Sequence, residues 1–265
     1  TMKPFVYAMA MEDGMHPQDT IWNLQRTYKV GTREWTPRNG SKSRYGEPVT
    51  LKWGLSQSNN WITAEVMYQS DPNGYRLAKY LREYGIANAD IYPTLALCLG
   101  TCDITVAEMA SAYTAFVNKG IRCAPILVTH IEDNAGNVIA RFTAEKTEVI
   151  SEESSYKMIE MLRAVIDEGT GGRIRRVYNI EAPVGGKTGT TQEHVDGWFM
   201  GVTPELVGGV WVGAEDRSIH FQNLANGQGA SMALPIWAKF LQKAYADSKL
   251  KIAQRDFERP FGITK

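Results

Sequence analysis

Excess charge of either sign is missing from this chain, in which 29 Lys and Arg stand against 29 Asp and Glu over 265 residues. Nucleic acid and anionic membrane surfaces are therefore not favoured as bulk partners. Long apolar runs are missing as well, and no stretch approaches the roughly 20 residues that a bilayer requires. Cysteine is scarce. Cys98, Cys102 and Cys123 make no disulfide framework, although Cys98 and Cys102 could bridge if Leu99-Gly100-Thr101 bends. Small core residues are the simpler reading of all three. The four histidines, His16, His130, His194 and His220, have no ligand spacing, so no metal is expected. No signal peptide opens the chain, and it begins inside what reads as a helix.

What is present is an ordinary globular composition, 43% apolar and 22% charged, enough for a sizeable core. Met2 to Asp13 is apolar nearly all round, which predicts a buried central helix starting at or before Thr1 and stopping at Gly14. Pro4 fits only its first turn. Lys3 sits in that turn, where the macrodipole disfavours a cation, and a solvated lysine at a helix end is one reading of it. Met15 to Pro48 reads as a long polar segment with at most short strands, unusual unless functional or packed over a core. Two short helices follow over Thr50 to Gln69. Between them stands Ser56-Gln57-Ser58-Asn59-Asn60-Trp61, whose hydroxyl and amide groups suit a helix cap.

Thr105-Val106-Ala107-Glu108 is a capping box at the head of an amphipathic helix. Ile126 to Phe142 reads as a hairpin, and Ser151 opens another helix that closes at Gly169. Gly169-Thr170-Gly171-Gly172 could approach a ligand, though a plain cap and turn explains it more simply. Three strands are predicted around Gly185 to Gly213, and a last helix from Ser231 to Asp247. Lys249 to Lys265 reads as a polar tail, giving one domain over 1–248 and a tail over 249–265. Helices first, an antiparallel meander next and a covering helix last predict one mixed α+β domain rather than alternating βαβ units.

The chemistry concentrates in Gly185-Gly186-Lys187-Thr188-Gly189-Thr190-Thr191, a cation among hydroxyls at the start of a sheet. Such an edge suits a carboxylate. A phosphate-binding P-loop would need glycine five places before Gly186, where Glu181 stands, and a helix rather than a strand afterwards. Gly54-Leu55-Ser56-Gln57-Ser58 lacks the second glycine and the preceding strand of a nucleophile elbow.

Lys3 in a helix first turn, Ser58-Asn59-Asn60 between helices and Lys187-Thr188-Gly189 on a strand are weak signals singly and specific together. In that order they resemble the motifs of penicillin-binding proteins and serine β-lactamases. Lys3-Pro4-Phe5, Pro48-Val49-Thr50-Leu51, Glu108-Met109-Ala110-Ser111-Ala112-Tyr113, Asp196-Gly197-Trp198-Phe199, Val210-Trp211-Val212-Gly213 and Ala233-Leu234-Pro235-Ile236-Trp237 narrow the likeness. They resemble the transpeptidase domain of bifunctional, class A penicillin-binding proteins from Thr1 to about Tyr245.

The resemblance implies a serine β-lactamase/D,D-transpeptidase-like α/β fold, an antiparallel sheet flanked by helices, here expected to lack its N-terminal strands. It also implies D,D-transpeptidase activity: peptidoglycan stem peptides are cross-linked through a serine acyl-enzyme that β-lactams trap. In the family motif the serine stands three residues before the lysine, so the nucleophile is expected immediately before Thr1 and the 265 residues alone are expected to be inactive. Lys3 is then the base, Ser58 a proton relay and Asn60 a contact to the donor peptide. Lys187, Thr188, Gly189 and Thr190 are expected at the substrate carboxylate, with Thr190 N–H in the oxyanion hole. A class A β-lactamase would need a glutamate followed four residues later by asparagine, and no glutamate here has one. A D,D-carboxypeptidase, or a non-catalytic penicillin-recognising sensor or scaffold, are the other readings. The likeness implies no cofactor, a place at the outer face of the cytoplasmic membrane or in the periplasm, and an anchor and possible glycosyltransferase domain upstream. That setting favours a Cys98–Cys102 or Cys102–Cys123 bridge.

Overall fold

Residues 1–87, 90–191 and 194–262 are described by a computed structural model. Helix α1 (Lys3–Glu12) runs through its centre, with every side chain from Lys3 to Met11 buried. A helix apolar all round has no face to give to water, so the other elements wrap it. Helical backbone reaches back to Met2, and Gly14 ends the helix at φ +91°. Phe5 is the hub. Its ring centroid lies 4.9 Å from that of Tyr84 and 5.6 Å from those of Tyr113 and Phe116, mostly edge to face.

The long polar segment becomes four short strands: β1 (Thr20–Trp22), β2 (Tyr28–Val30), β3 (Arg33–Trp35) and β4 (Pro48–Thr50). β1 pairs with β4, and β2 with β3, so the segment is tied at both ends and lies over the helices that follow. These are α2 (Leu51–Ser56), capped by Thr50, and α3 (Asn60–Ser70), capped by Asn59. Next come α4 (Tyr75–Glu83), a 3₁₀ turn over Leu95–Leu99 against α3, and α5 (Val106–Val117). The Thr105/Glu108 capping box at the head of α5 is complete.

Strand β5 (Ile121–Cys123) pairs with β8 (Lys146–Glu148), and between them the hairpin β6 (His130–Glu132)–β7 (Val138–Arg141) turns on Asp133 to Asn137. The three cysteines are free. Helix α6 (Glu152–Asp167) and the single turn α7 (Arg173–Arg176) lead into the central sheet. The sheet is an antiparallel meander of β9 (Gly185–Thr190), β10 (Gly197–Val202) and β11 (Val207–Val212), with β10 in the middle. Its register sets Lys187 opposite Met200, and Met200 opposite Gly209.

Helices α5 and α6 cover one face of the sheet. After a short turn α8 (Leu224–Gly227), α9 (Gly229–Ala246) covers the other, with Trp237 buried against it. A Cβ on Gly201 would stand 2.2 Å from the Trp237 ring, so glycine is what lets the helix approach. The polar segment after α9 is strapped to the domain. Phe257 is buried in the main core, Arg163 lies over its ring and pairs with Asp256 at 2.9 Å, and Arg255 reaches Glu205 at 3.3 Å. The last three residues of the expected tail lie outside the described residues. Among the described residues, no helix is long and apolar enough to cross a membrane.

Candidate active site

The site begins with a turn. Chain leaving α2 must reverse within three residues to enter α3, and Ser58 takes the strain, with φ +53° in a region that non-glycine residues rarely occupy. Asn59 supports it. Its side chain accepts from Trp61 N–H and Ile62 N–H, while its own N–H bonds to Gly54 O at 2.8 Å. Asn59 caps α3, and Ser58 and Asn60 turn toward Lys3.

Lys3 Nζ donates to Ser58 O, to Ser58 Oγ at 3.2 Å and to Asn60 Oδ1 at 2.5 Å. Lys187 approaches from the sheet and donates to the same Ser58 Oγ at 2.8 Å and to Thr188 O at 2.9 Å. Three elements distant in sequence therefore converge on one hydroxyl: the first turn of α1, the α2–α3 turn and β9. The solvated reading of Lys3 does not hold, because α1 is enclosed and its first turn faces the site.

Among the described residues neither lysine has a carboxylate partner, and both are almost wholly buried, Lys187 to 1% exposure. Burial disfavours a charge. It lowers Lys3 to about 7. Lys187 is also pulled well below the ordinary lysine range, by burial first and then by Lys3. Cys98 is driven in the other direction by burial, to about 12, and stays a thiol.

Strand β9 carries the hydroxyls. Thr188 Oγ1 lies 2.7 Å from Thr170 Oγ1, and Thr190 Oγ1 accepts from Gly229 N–H at 3.1 Å. Thr190 keeps its own proton to donate. Among the described residues β9 pairs only with β10, so its other edge is open along the site. A Cβ on Gly189 would stand 3.0 Å from Thr1 N, which puts the start of α1 directly against this strand. Tyr113 holds it there by donating to Thr1 O at 2.7 Å. No group of three or more His, Cys, Asp or Glu able to hold a metal occurs among the described residues.

Residues 1–215 match the family model of the penicillin binding protein transpeptidase domain. The chain belongs to this family. Penicillin-binding protein 1A of Aquifex aeolicus is 32% identical over 244 residues, covering 91% of this chain and 32% of that protein. The chain thus spans about a third of the length of the curated relatives it matches. The crystal structure of penicillin-binding protein 1A from Haemophilus influenzae superposes with a TM-score of 0.86 at 26% identity, over 98% of this chain and 43% of that one. The PonA1 protein of Mycobacterium tuberculosis in complex with penicillin V shares the fold, with a TM-score of 0.78 at 21% identity over 99% of this chain and 71% of that one.

Within this penicillin-binding fold, some site residues escaped the sequence reading. Thr170 was one. Its glycine-rich loop is wedged between α2 and β9, because a Cβ on Gly169 would meet Ser56 O at 2.1 Å and Thr170 N–H bonds to that same oxygen. The four residues Gly169 to Gly172 held the only sequence signal for it. Asn39 and the Arg38 carbonyl, both bonded to Asn60, were not singled out at all, since nothing in a polar loop marks which amide will face a residue 21 positions on.

Proposed function

We propose that, in the full-length protein, this domain is a serine-type D,D-transpeptidase whose nucleophile is the residue joined to Thr1. The observation that carries this reading is the convergence of Lys3 and Lys187 on Ser58 Oγ, beside Thr1 N and the open edge of β9. A serine preceding Thr1 would stand one helical turn from Lys3, on the same face.

The donor stem peptide adds as a strand along β9, as extended peptides do at open sheet edges. Its terminal carboxylate is held by the Thr188 and Thr190 hydroxyls and by the charge of Lys187, which a bound anion restores. Asn60 has one amide hydrogen on Arg38 O, leaving the other for a donor-peptide carbonyl. Lys3, whose neutral form becomes populated near pH 7, takes the serine proton as Oγ bonds to the carbonyl carbon between the two terminal D-alanines. The oxyanion receives the N–H of Thr190 and that of the serine. Ser58, between the lysines, passes a proton to the departing D-alanine nitrogen as the C–N bond breaks. The amine of a neighbouring stem peptide then attacks the ester, loses a proton to the same relay and frees the serine. β-Lactams enter the first half of this cycle and stop there.

In this reading the domain works at the outer face of the cytoplasmic membrane or in the periplasm, anchored upstream and preceded by a glycosyltransferase domain. The test is fluorescent penicillin. Full-length protein is expected to label covalently, and residues 1–265 without the preceding serine are expected not to. Supplying a stem-peptide amine or water alone as acceptor separates the transpeptidase from a D,D-carboxypeptidase. Failure of the full-length protein to label would overturn the enzyme reading in favour of a non-catalytic penicillin-recognising module.

A further inference from the structure

The segment between α1 and α2 has no part in the three motifs, yet it makes the contacts that orient one of them. Asn60 is bonded on three sides. Its Oδ1 accepts from Lys3, its Nδ2 donates to Arg38 O at 2.6 Å, and its backbone N–H donates to Asn39 Oδ1 at 2.8 Å. An amide side chain has two orientations related by a flip. A carbonyl at Arg38 and a lysine at position 3 admit only the one with Nδ2 toward the loop and Oδ1 toward the base.

The turn is pinned again one residue earlier. Asn23 is fully buried, its Oδ1 accepts from Asn59 Nδ2 at 2.9 Å, and its Nδ2 donates to Ser43 O and Arg44 O at 2.9 and 3.0 Å. Its backbone exchanges bonds with Glu47 O and Gly46 N–H, both at 2.9 Å. Trp61 Nε1 donates to Pro37 O at 3.1 Å, and Tyr45 packs edge-on against the Trp61 ring. Asn23 and residues 37–46 together therefore grip Asn59, Asn60 and Trp61 in succession. A turn carrying a left-handed serine keeps that shape only if its surroundings over-determine it.

We propose that Asn39 is a positioning residue for acyl transfer, acting through Asn60, and that the segment around it holds the Ser58-Asn59-Asn60 turn in register with Lys3. This rests on the acyl-transfer reading above. Among the described residues Asn39 bonds to neither lysine. Its Oδ1 fixes the Asn60 backbone, and its Nδ2 ties the loop to Ser41 O at 2.6 Å.

The experiment compares the second-order rate of acylation by fluorescent penicillin in full-length protein, per folded molecule, with the melting temperature of each variant. Asn39→Ala removes the acceptor and is expected to slow acylation about ten- to hundredfold, the range that a displacement near 1 Å produces. Asn39→Asp keeps the acceptor oxygen and is expected to recover most of the rate. Thr36→Ala loosens the same segment at its bond to Thr27, away from the turn, and is expected to stay within about twofold of wild type. Wild-type rates for Asn39→Ala, or equal losses for the Ala and Asp variants, would overturn the proposal. A wild-type protein that does not label at all would instead sink the acyl-transfer reading beneath it.

Discussion

Lys3 and Lys187 share one acceptor, the Ser58 hydroxyl, at 3.2 and 2.8 Å. Two ammonium groups held against one oxygen inside a protein repel, and water is largely excluded from both. Burial and this repulsion both favour loss of positive charge from the pair. A hydroxyl between a neutral amine and a charged one is polarised in a fixed sense, donating to the first and accepting from the second. That is the electrical arrangement a proton relay needs.

Lys187→Ala is expected to lower penicillin acylation of the full-length protein by roughly 10²-fold or more, on the scale of losing one preorganised electrostatic contact. Stability should hold, because the side chain is desolvated without a carboxylate partner. Gel fluorescence and a thermal melt on the same samples check both halves.

Acylation should climb with pH through about 7 and level off above it, since only neutral Lys3 accepts a proton. Stability carries the same signature. The unfolded chain keeps its lysine protons to about pH 10.5, while the folded site releases that of Lys3 near 7. Between those values the unfolded state binds more protons, so stability rises with pH, by at most about 1.4 kcal/mol per unit from this group. Below that window the contribution is lost. Urea unfolding at pH 7 and pH 9, in wild type and Lys3→Met, should show a smaller rise in the variant.

Phe5→Ala should cost about 3–5 kcal/mol, the range for removing a large aromatic from a closed core. Phe5 has no exposed surface and touches three aromatic rings from α4's end and α5. Denaturant titration measures the loss. A cost under about 1 kcal/mol would mean that α1 is not the centre of packing.

Phe257→Ala should release the strap after α9. Hydrogen exchange over residues 249–262 is expected to accelerate, with penicillin acylation unchanged, because the strap crosses α6 and the 203–206 turn rather than the site. A fall in acylation would tie this segment to the site.

Local signals carried much of the fold. The unbroken apolar character of Met2 to Asp13 announced a buried helix, the Thr105/Glu108 box marked a helix start, and glycines at 14, 74, 85 and 120 sit at positive φ at helix ends. The same holds for Lys3, Ser58, Asn60 and Lys187, whose residue types and order were visible and which the fold gathers within hydrogen-bond reach. What stayed hidden depends on contacts that are distant in sequence and need no special residue. Asn23 reads as one polar residue among many, and only the fold buries it against Asn59. Thr170 reads as part of a turn until β9 arrives beside it. Phe257 stands alone in a polar run, and a single aromatic has no period from which its burial could be inferred.

In the proposed mechanism this site is completed by a serine joined to Thr1. Full-length protein treated with penicillin, digested and mapped by mass spectrometry tests it directly. One covalent adduct is expected, on a serine that immediately precedes Thr1. An adduct on Ser58, or no adduct on a folded protein, would contradict it.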